Sequence, residues 1–576
     1  MGEFSRPDSR LGQRIDSTLR HRFRRFTLGL TATGAWLIGS VSAGAQVQAP
    51  AVGGCTIDTL TIGFPEKWMG TTIGQISVRA RRVDLLNPTV TTIAQYVHRS
   101  TRLNIVFNEL SFTPGQLMDS VEVLESIRRL RRTNLMSEII LEGSQCAPGR
   151  TDFTLWTRDA WSLRTGFRFA DAGSSRISVA EANLFGTART INVSGDQIDD
   201  RRSISVTFAD PYLFDTRMSG AVTLRNYPDG RTWYWNLRTR ELSPRDVWRG
   251  GIASNQSRRL DDNPVARTHT DITRRDAAIT VSRLLGSAPS WALAAIGGVE
   301  SEFANINVVR PGTVLGKTAV RRDLTAPLVG LSVRSNRFGS VNWLVPMQPA
   351  AEVPLGLAGE AVVGVGRDIV TGSTMTHFDS WVGATEMPRL STIITGDLWT
   401  SGYWSADSVS AGTVRASLAF YQQAWNGMWI LRATSERLYN PDPDVFALAT
   451  VDAALHTLAP KSRVAERALN VSLERSMHLV AHEGRWALDG ALTASYSSRD
   501  HSVDEVSMTP TNPQVLIVGI GLRHIRNQPT QAPLRLDIGR AVWRSAGLPN
   551  RWIIGLSTVA WINSGRTRDG VRDVSR

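Results

Sequence analysis

The sequence predicts a mainly β fold: a transmembrane antiparallel β-barrel of about sixteen strands, preceded by one small α+β domain. Three observations carry this reading. From Trp161 onward apolar and polar residues alternate with a period of two almost to the C-terminus. A convincing amphipathic helical period occurs in one place only, between residues 119 and 132. Past residue 45 the nearest thing to a long apolar run, Val515 to Leu522, is far too short to cross a bilayer as a helix. A closed barrel is the other structure that satisfies every backbone group in hydrocarbon. Composition agrees, since 48 Gly, 18 Trp and only 20% charged residues suit strands and turns better than helix bundles.

Residues 1–45 form a separate kind of sequence. A basic stretch ending "RHRFRRF" is followed by the apolar "TLGLTATGAWLIGSVSA" and then Ala43-Gly44-Ala45. That order predicts a secretory signal peptide cleaved after Ala45, with an uncleaved membrane anchor as the alternative. The formal charge is +13, and without this segment +9 remains. The basic residues are nearly all Arg, with Lys only at Lys67, Lys317 and Lys461, and they are scattered along the chain. A nucleic-acid footprint would be clustered, so nucleic acid is excluded as a partner. Scattered Arg suits a polar lumen or anionic lipid headgroups at a rim.

Residues 46–158 read as the α+β domain. In "DSVEVLESIRRLRR" the apolar residues Val121, Leu124, Ile127 and Leu130 recur every three positions, with acids first and arginines last, as the helix dipole prefers. Asp119 is placed as N-cap, with Glu122 three residues on. Strand-like runs flank the helix: "QISVRARRVDLL" before it, "SEIILEG" and "TDFTLWTR" after it. The only two cysteines, Cys55 and Cys146, bracket this domain, and an exported pair is expected to form a disulfide tying its ends together. The "VGGC" before Cys55 is superficially similar to a lipoprotein box, but it follows the apolar run at too great a distance.

Residues 159–564 read as the barrel, and 565–576 as a polar tail. In "RRSISVTFADPYLFDT" Ile204, Val206 and Phe208 share one face and Ser203, Ser205 and Thr207 the other. The first set is expected to face lipid, the serines a wet lumen, and Tyr212 and Phe214 an interface. "TVRASLAF" and "PLRLDIGR" alternate in the same way. Alternation alone also suits a soluble sandwich. The decisive features are the number and length of the segments and the aromatics placed near segment ends, among them Trp161, Trp248, Trp381, Trp399 and Trp552.

Several motifs then carry a resemblance. "LSFTPGQLMDSVEVLESIRRLRR" is similar to the helix-bearing part of a POTRA domain, and "TRDAWSL" to the junction into a first barrel strand. "NLFGTART" (Asn183 to Thr190), "DPYLFDT" and "VGIGLRHIRNQPTQAPLRLDIGRAVW" follow in order. Together they resemble the BamA/TamA-type outer-membrane assembly superfamily, in which periplasmic POTRA domains precede a sixteen-stranded barrel. One departure stands out. Members usually carry an Arg-Gly-aromatic tip on a loop folded into the lumen; here "APKSRVAERALNVSLERS" has Leu473-Glu474-Arg475 but no such tip, and Arg463 or Arg467 is the candidate substitute. The C-terminus also departs, ending in a polar tail instead of an aromatic.

Other chemistry finds no support. "PGTVLGKT" (Pro311 to Thr318) lacks the first glycine of a phosphate-binding loop. The nine histidines show no metal spacing, and no nucleophile elbow occurs. Asp199-Asp200 and Asp261-Asp262 read as solvated loop residues. No catalytic residue, cofactor or metal is expected, and the chain is read as a non-enzyme. The resemblance implies an outer-membrane barrel whose POTRA strand edge captures unfolded outer-membrane or secreted client proteins. These would be admitted toward lipid between the first and last strands, with periplasmic accessory proteins as further partners. The alternative is a passive pore or structural barrel.

Overall fold

The structure, a computed structural model, describes residues 55–60, 64–81, 99–170, 174–198, 201–240, 246–263, 268–288, 290–309, 317–341, 343, 351–405, 408–425, 427–440, 467–481, 484–498, 514–524, 534–544 and 552–558. The signal-peptide segment with Ala45, the loop residue Arg463, Asp199-Asp200 and the C-terminal tail lie outside these residues.

An α+β module comes first. Its four-stranded sheet has the order β1 (Thr56–Thr59), β3 (Met136–Ala147), β4 (Arg150–Asp159), β2 (Thr72–Arg81). The outer pair β2 and β4 is parallel, and the other neighbours are antiparallel. Among the described residues two helices, α1 (Leu103–Asn108) and α2 (Ser120–Arg132), lie between β2 and β3. Helix α2 starts where expected, because the Asp119 carboxylate accepts the Val121 amide at 2.9 Å and satisfies one orphan donor of the first turn. Its buried apolar stripe differs from expectation. Val123, Ile127 and Leu130 face the core, at spacings of four and three, whereas Val121 does not. A period of 3.6 cannot keep a strict three-residue repeat on one face for three turns, so the first member drifts off. Trp68, Phe153, Leu155, Val123 and Leu130 are 0–1% exposed, and burying each contributes about 1.5–3 kcal/mol. Strand β1 was not anticipated, since "TIDT" is too short to display a period.

The barrel follows after only three residues. Twenty-one antiparallel strand segments form a ring, from β5 (Leu163–Ala170) to the closing strand Trp552–Thr558. Two of them, Lys317–Ser335 and Arg337–Val341, both pair with Ala351–Asp368 and act as one strand interrupted at Asn336. The ring therefore has more strands than the expected number of about sixteen. The excess arises because turns as short as those at 228–229 and 390–391 hide a strand boundary from a count of apolar segments. Strands of up to 21 residues, as in Thr268–Ala288, exceed the roughly ten a bilayer requires.

Alternation on the wall matches expectation outside and differs inside. On β8 (Arg201–Leu213) Ile204, Val206 and Phe208 are exposed, and the same holds for Val222, Leu224, Leu418, Leu473 and Ile520 on other strands. So continuous an apolar exterior belongs in lipid. The inner residues Ser203 and Ser205 are buried instead of wet, with the Ser205 hydroxyl 2.7 Å from that of Ser194 on β7 (Arg189–Ile198). Arginine at Ser205 would therefore be overpacked. The informative contrast is one residue on: Val206→Arg should destabilise the barrel by about 2–4 kcal/mol, and Thr207→Arg, on the half-exposed inner face, by clearly less. Urea unfolding in detergent or lipid measures both, and equal losses would contradict the assignment of faces.

Three smaller expectations change. Asp261 and Asp262 lie within the strand Trp248–Asn263, not in a loop. Trp381 and Trp399 face each other as cross-strand partners in mid-strand, whereas Trp248 and Trp552 do open their strands and are largely exposed. Lys317 and Thr318 begin a strand, so no helix follows to build a phosphate site.

Candidate functional site

The residues that carry the site lie where the module meets the barrel rim. Two of the motifs are the rim turns themselves. "NLFGTART" makes the turn between β6 (Ser174–Leu184) and β7, and "DPYLFDT" ends β8 ahead of β9 (Met218–Tyr227). The two are fastened together, for Asp210 accepts from Arg189 Nε at 2.8 Å and from the Tyr212 amide at 2.9 Å. Asp210 is buried, while the Arg189 side chain is 44% exposed.

The first turn holds the segment leading into α1. Asn183 is buried, donates through Nδ2 to Thr101 Oγ1 at 3.0 Å, and accepts from the Ala188 amide at 2.9 Å. Gly186 adopts φ +74° and its carbonyl accepts from the Arg102 amide at 2.9 Å. A Cβ at Gly186 would stand 2.4 Å from the Ser100 carbonyl oxygen, so both the backbone conformation and the close approach demand glycine. Asp159, at the end of β4, accepts from the Thr101 amide at 2.9 Å, which ties the same segment to the module sheet.

The second turn holds α1 by a buried charge. Glu109 is fully buried at the end of α1. Its carboxylate accepts from the Tyr212 hydroxyl and from Arg240, which follows β10 (Gly230–Thr239), and lies 3.6 Å from Arg129 Nε of α2. Arg129 Nη2 also donates to the Glu109 carbonyl at 2.6 Å, and Arg240 stacks over the Tyr212 ring at 4.3 Å. Burial pushes the Arg129 guanidinium below its ordinary value, opposed by the neighbouring Glu109 charge. Tyr212, expected as an interfacial aromatic, is instead 3% exposed and joins the module core together with Ala188. Apolar packing is thus continuous across the junction.

A third contact lies farther round the ring. Glu352 accepts from Arg128 Nε at 3.0 Å and from Arg131 Nη1 at 2.8 Å, both on α2, while Arg128 stacks over Phe338 at 4.0 Å. Contacts from the β6–β7 turn to the strand Ala351–Asp368 cover close to half the ring, so the module lies across this mouth of the barrel.

The first and last strands of the ring meet at a seam. Among the described residues three pairs join the closing strand to β5: Gly555 with Ala170, Leu556 with Phe169, and Ser557 with Arg168. The flanking ladders hold eight pairs on the β5–β6 side and seven on the other. Among the described residues Leu163 to Phe167 pair only with β6.

The cysteines come together as expected. Cys55 and Cys146 lie 4.3 Å apart at Cα with their sulfurs at disulfide distance. Arg467 does not lie in a lumenal loop. It opens the strand Arg467–Ala481 on the parity of the exposed Leu469, Val471 and Leu473, whereas Ala468, Asn470 and Ser472 are buried. Glu474 is buried on that inner face, and Arg475 stacks on Trp429 at 5.4 Å. Glu109, Arg240 and Glu352 had no distinguishing sequence pattern. Asn183, Gly186 and Tyr212 stood within motifs already singled out, but as marks of resemblance without a role. No group of metal-ligating side chains occurs among the described residues.

No protein-family model and no curated protein matches the chain. Among solved structures it is similar to CdiB from Escherichia coli, at 13% identity over 87% of this chain and 80% of that one, TM-score 0.42. It is also similar to BamA from Haemophilus ducreyi lacking POTRA domains 1–3, at 10% identity over 88% and 90%, TM-score 0.35. BauA, the ferric preacinetobactin receptor from Acinetobacter baumannii, matches at 9% identity over 74% and 85%, TM-score 0.34.

Proposed function

We propose that the chain is an outer-membrane assembly or translocation barrel, with its α+β module acting as a POTRA domain in the periplasm. Unfolded outer-membrane or secreted polypeptides are its clients, and it performs no covalent chemistry. The observation that carries this reading is the closing seam. Among the described residues it holds three pairs between β5 and the closing strand, which at roughly 0.5–1.5 kcal/mol per net backbone hydrogen bond contribute on the order of 3 kcal/mol. An openable seam exposes two strand edges toward lipid, where an extended client gains the backbone partners that hydrocarbon denies it. The module lying across the mouth places a client-binding domain at the entrance.

A lock tests this. Phe169 and Leu556 are directly opposed, so Phe169→Cys with Leu556→Cys should cross-link on oxidation, in a background where Cys55 and Cys146 are serine. Oxidation should abolish client accumulation in the outer membrane and reduction should restore it. Full activity of the locked barrel, or normal levels of all other outer-membrane proteins after depletion, would refute the assembly role.

A further inference from the structure

Strand β1 lies on the β3 edge, where it occupies the hydrogen-bonding positions an added strand would use. Thr56 to Thr59 pair with Gln145 to Glu142, and the Leu60 amide donates to the Leu141 carbonyl at 2.8 Å. This pairing has almost no packing behind it. Ile57 is 67% exposed, Thr56 and Thr59 are exposed, and only Asp58 is partly covered, through its ion pair with Lys67. A four-residue strand without an apolar face does not hold an edge by itself. What holds β1 is its two ends. Leu60 is buried in the core, next to a segment pinned by the fully buried Trp68, and at the other end Cys55 is at disulfide distance from Cys146, 91 residues away.

We propose that β1 is a disulfide-held strap that keeps the β3 edge shut, and that cleaving the Cys55–Cys146 bond frees this edge for an extended polypeptide. The proposal rests on the edge-capture reading above and adds its regulation. Cys146 is exposed and lies in a shallow concavity with Lys67, Gln145 and Pro148, open to a thiol reagent. The reductant is a protein dithiol. Its thiolate attacks Cys146 Sγ and expels the Cys55 thiolate, and its second thiol then resolves the mixed disulfide. The reductant leaves as a disulfide, and two protons pass to the released cysteines. Once untethered, β1 loses the high effective concentration that kept it on the edge, while Leu60 and Trp68 retain its far end.

The test uses the full chain in detergent and a fluorescent peptide of residues 552–558, the closing barrel strand. Peptide anisotropy and hydrogen exchange at Glu142 to Gln145 are read together. The oxidised protein should bind at least about tenfold more weakly than the reduced protein or the Cys55→Ser, Cys146→Ser variant. In that variant the Gly143 and Gln145 amides, which face β1, should lose protection and regain it with peptide, while those of Glu142 and Ser144, which face β4, should stay protected. Asp58→Pro, which keeps the disulfide but removes a β1 donor at the hydrogen-bonded pair with Gly143, should also open the edge, so the proposal stays testable if the serine variant unfolds. Equal binding by oxidised and reduced protein would sink the strap and leave edge capture standing. No binding by any form would sink edge capture as well.

Discussion

Glu109→Ala should destabilise the junction of module and barrel by about 3–5 kcal/mol, the largest single-residue effect expected in the chain. The carboxylate is fully buried and serves three partners on three elements: Arg129 of α2, the Tyr212 hydroxyl and Arg240. Alanine removes the anion and keeps the backbone carbonyl that Arg129 Nη2 also uses, so the substitution isolates the side-chain charge. Two guanidinium groups are then left facing each other, one 6% and the other 17% exposed, without compensation. Tyr212→Phe provides the scale: it removes one hydrogen bond and should cost about 1–3 kcal/mol. Hydrogen exchange of α2 together with urea unfolding would establish the ranking. If the tyrosine variant lost as much as the glutamate variant, ring packing and not the buried charge would hold the junction.

Gly186→Ala should cost about 3 kcal/mol, the sum of a left-handed backbone at a residue with a Cβ and a steric conflict that neither side can relieve cheaply. The conflict is with backbone, the Ser100 carbonyl oxygen at 2.4 Å from the added carbon, so no rotamer change avoids it. Either the turn withdraws and Arg102 loses its acceptor, or the segment before α1 shifts and Asn183 loses Thr101. Gly70 is the control. It has nearly the same φ, +76°, but open space around its Cβ position, so Gly70→Ala carries the backbone cost alone, about 1–2 kcal/mol. The difference between the two, measured by thermal unfolding in detergent, is the contribution of close docking. Equal losses would mean that the turn does not press on the module.

Much of this molecule follows from patterns within one element. Alternation at Ile204, Val206 and Phe208 sets the lipid face because side chains on a strand change sides at every residue. Asp119 caps α2 because its carboxylate reaches an amide two residues away. The pairing of Cys55 with Cys146 was legible because only two cysteines exist and they flank the module.

What the sequence by itself determined, then, is the barrel class, its lipid face, the helix and its cap, all of which depend on neighbours within a few residues. Tertiary structure alone decided which inner residues are buried, how many strands the ring holds, and what the motif turns do. Glu109 meets Tyr212 and Arg240 across sequence separations of 103 and 131 residues, and Arg131 of α2 meets the rim at Glu352 across 221. A single buried carboxylate leaves no periodicity, and a four-residue strand such as β1 has no alternation to read. Their meaning comes from burial and from backbone partners supplied by distant segments, because charge and hydrogen-bonding groups acquire large energies only when the fold removes water from around them.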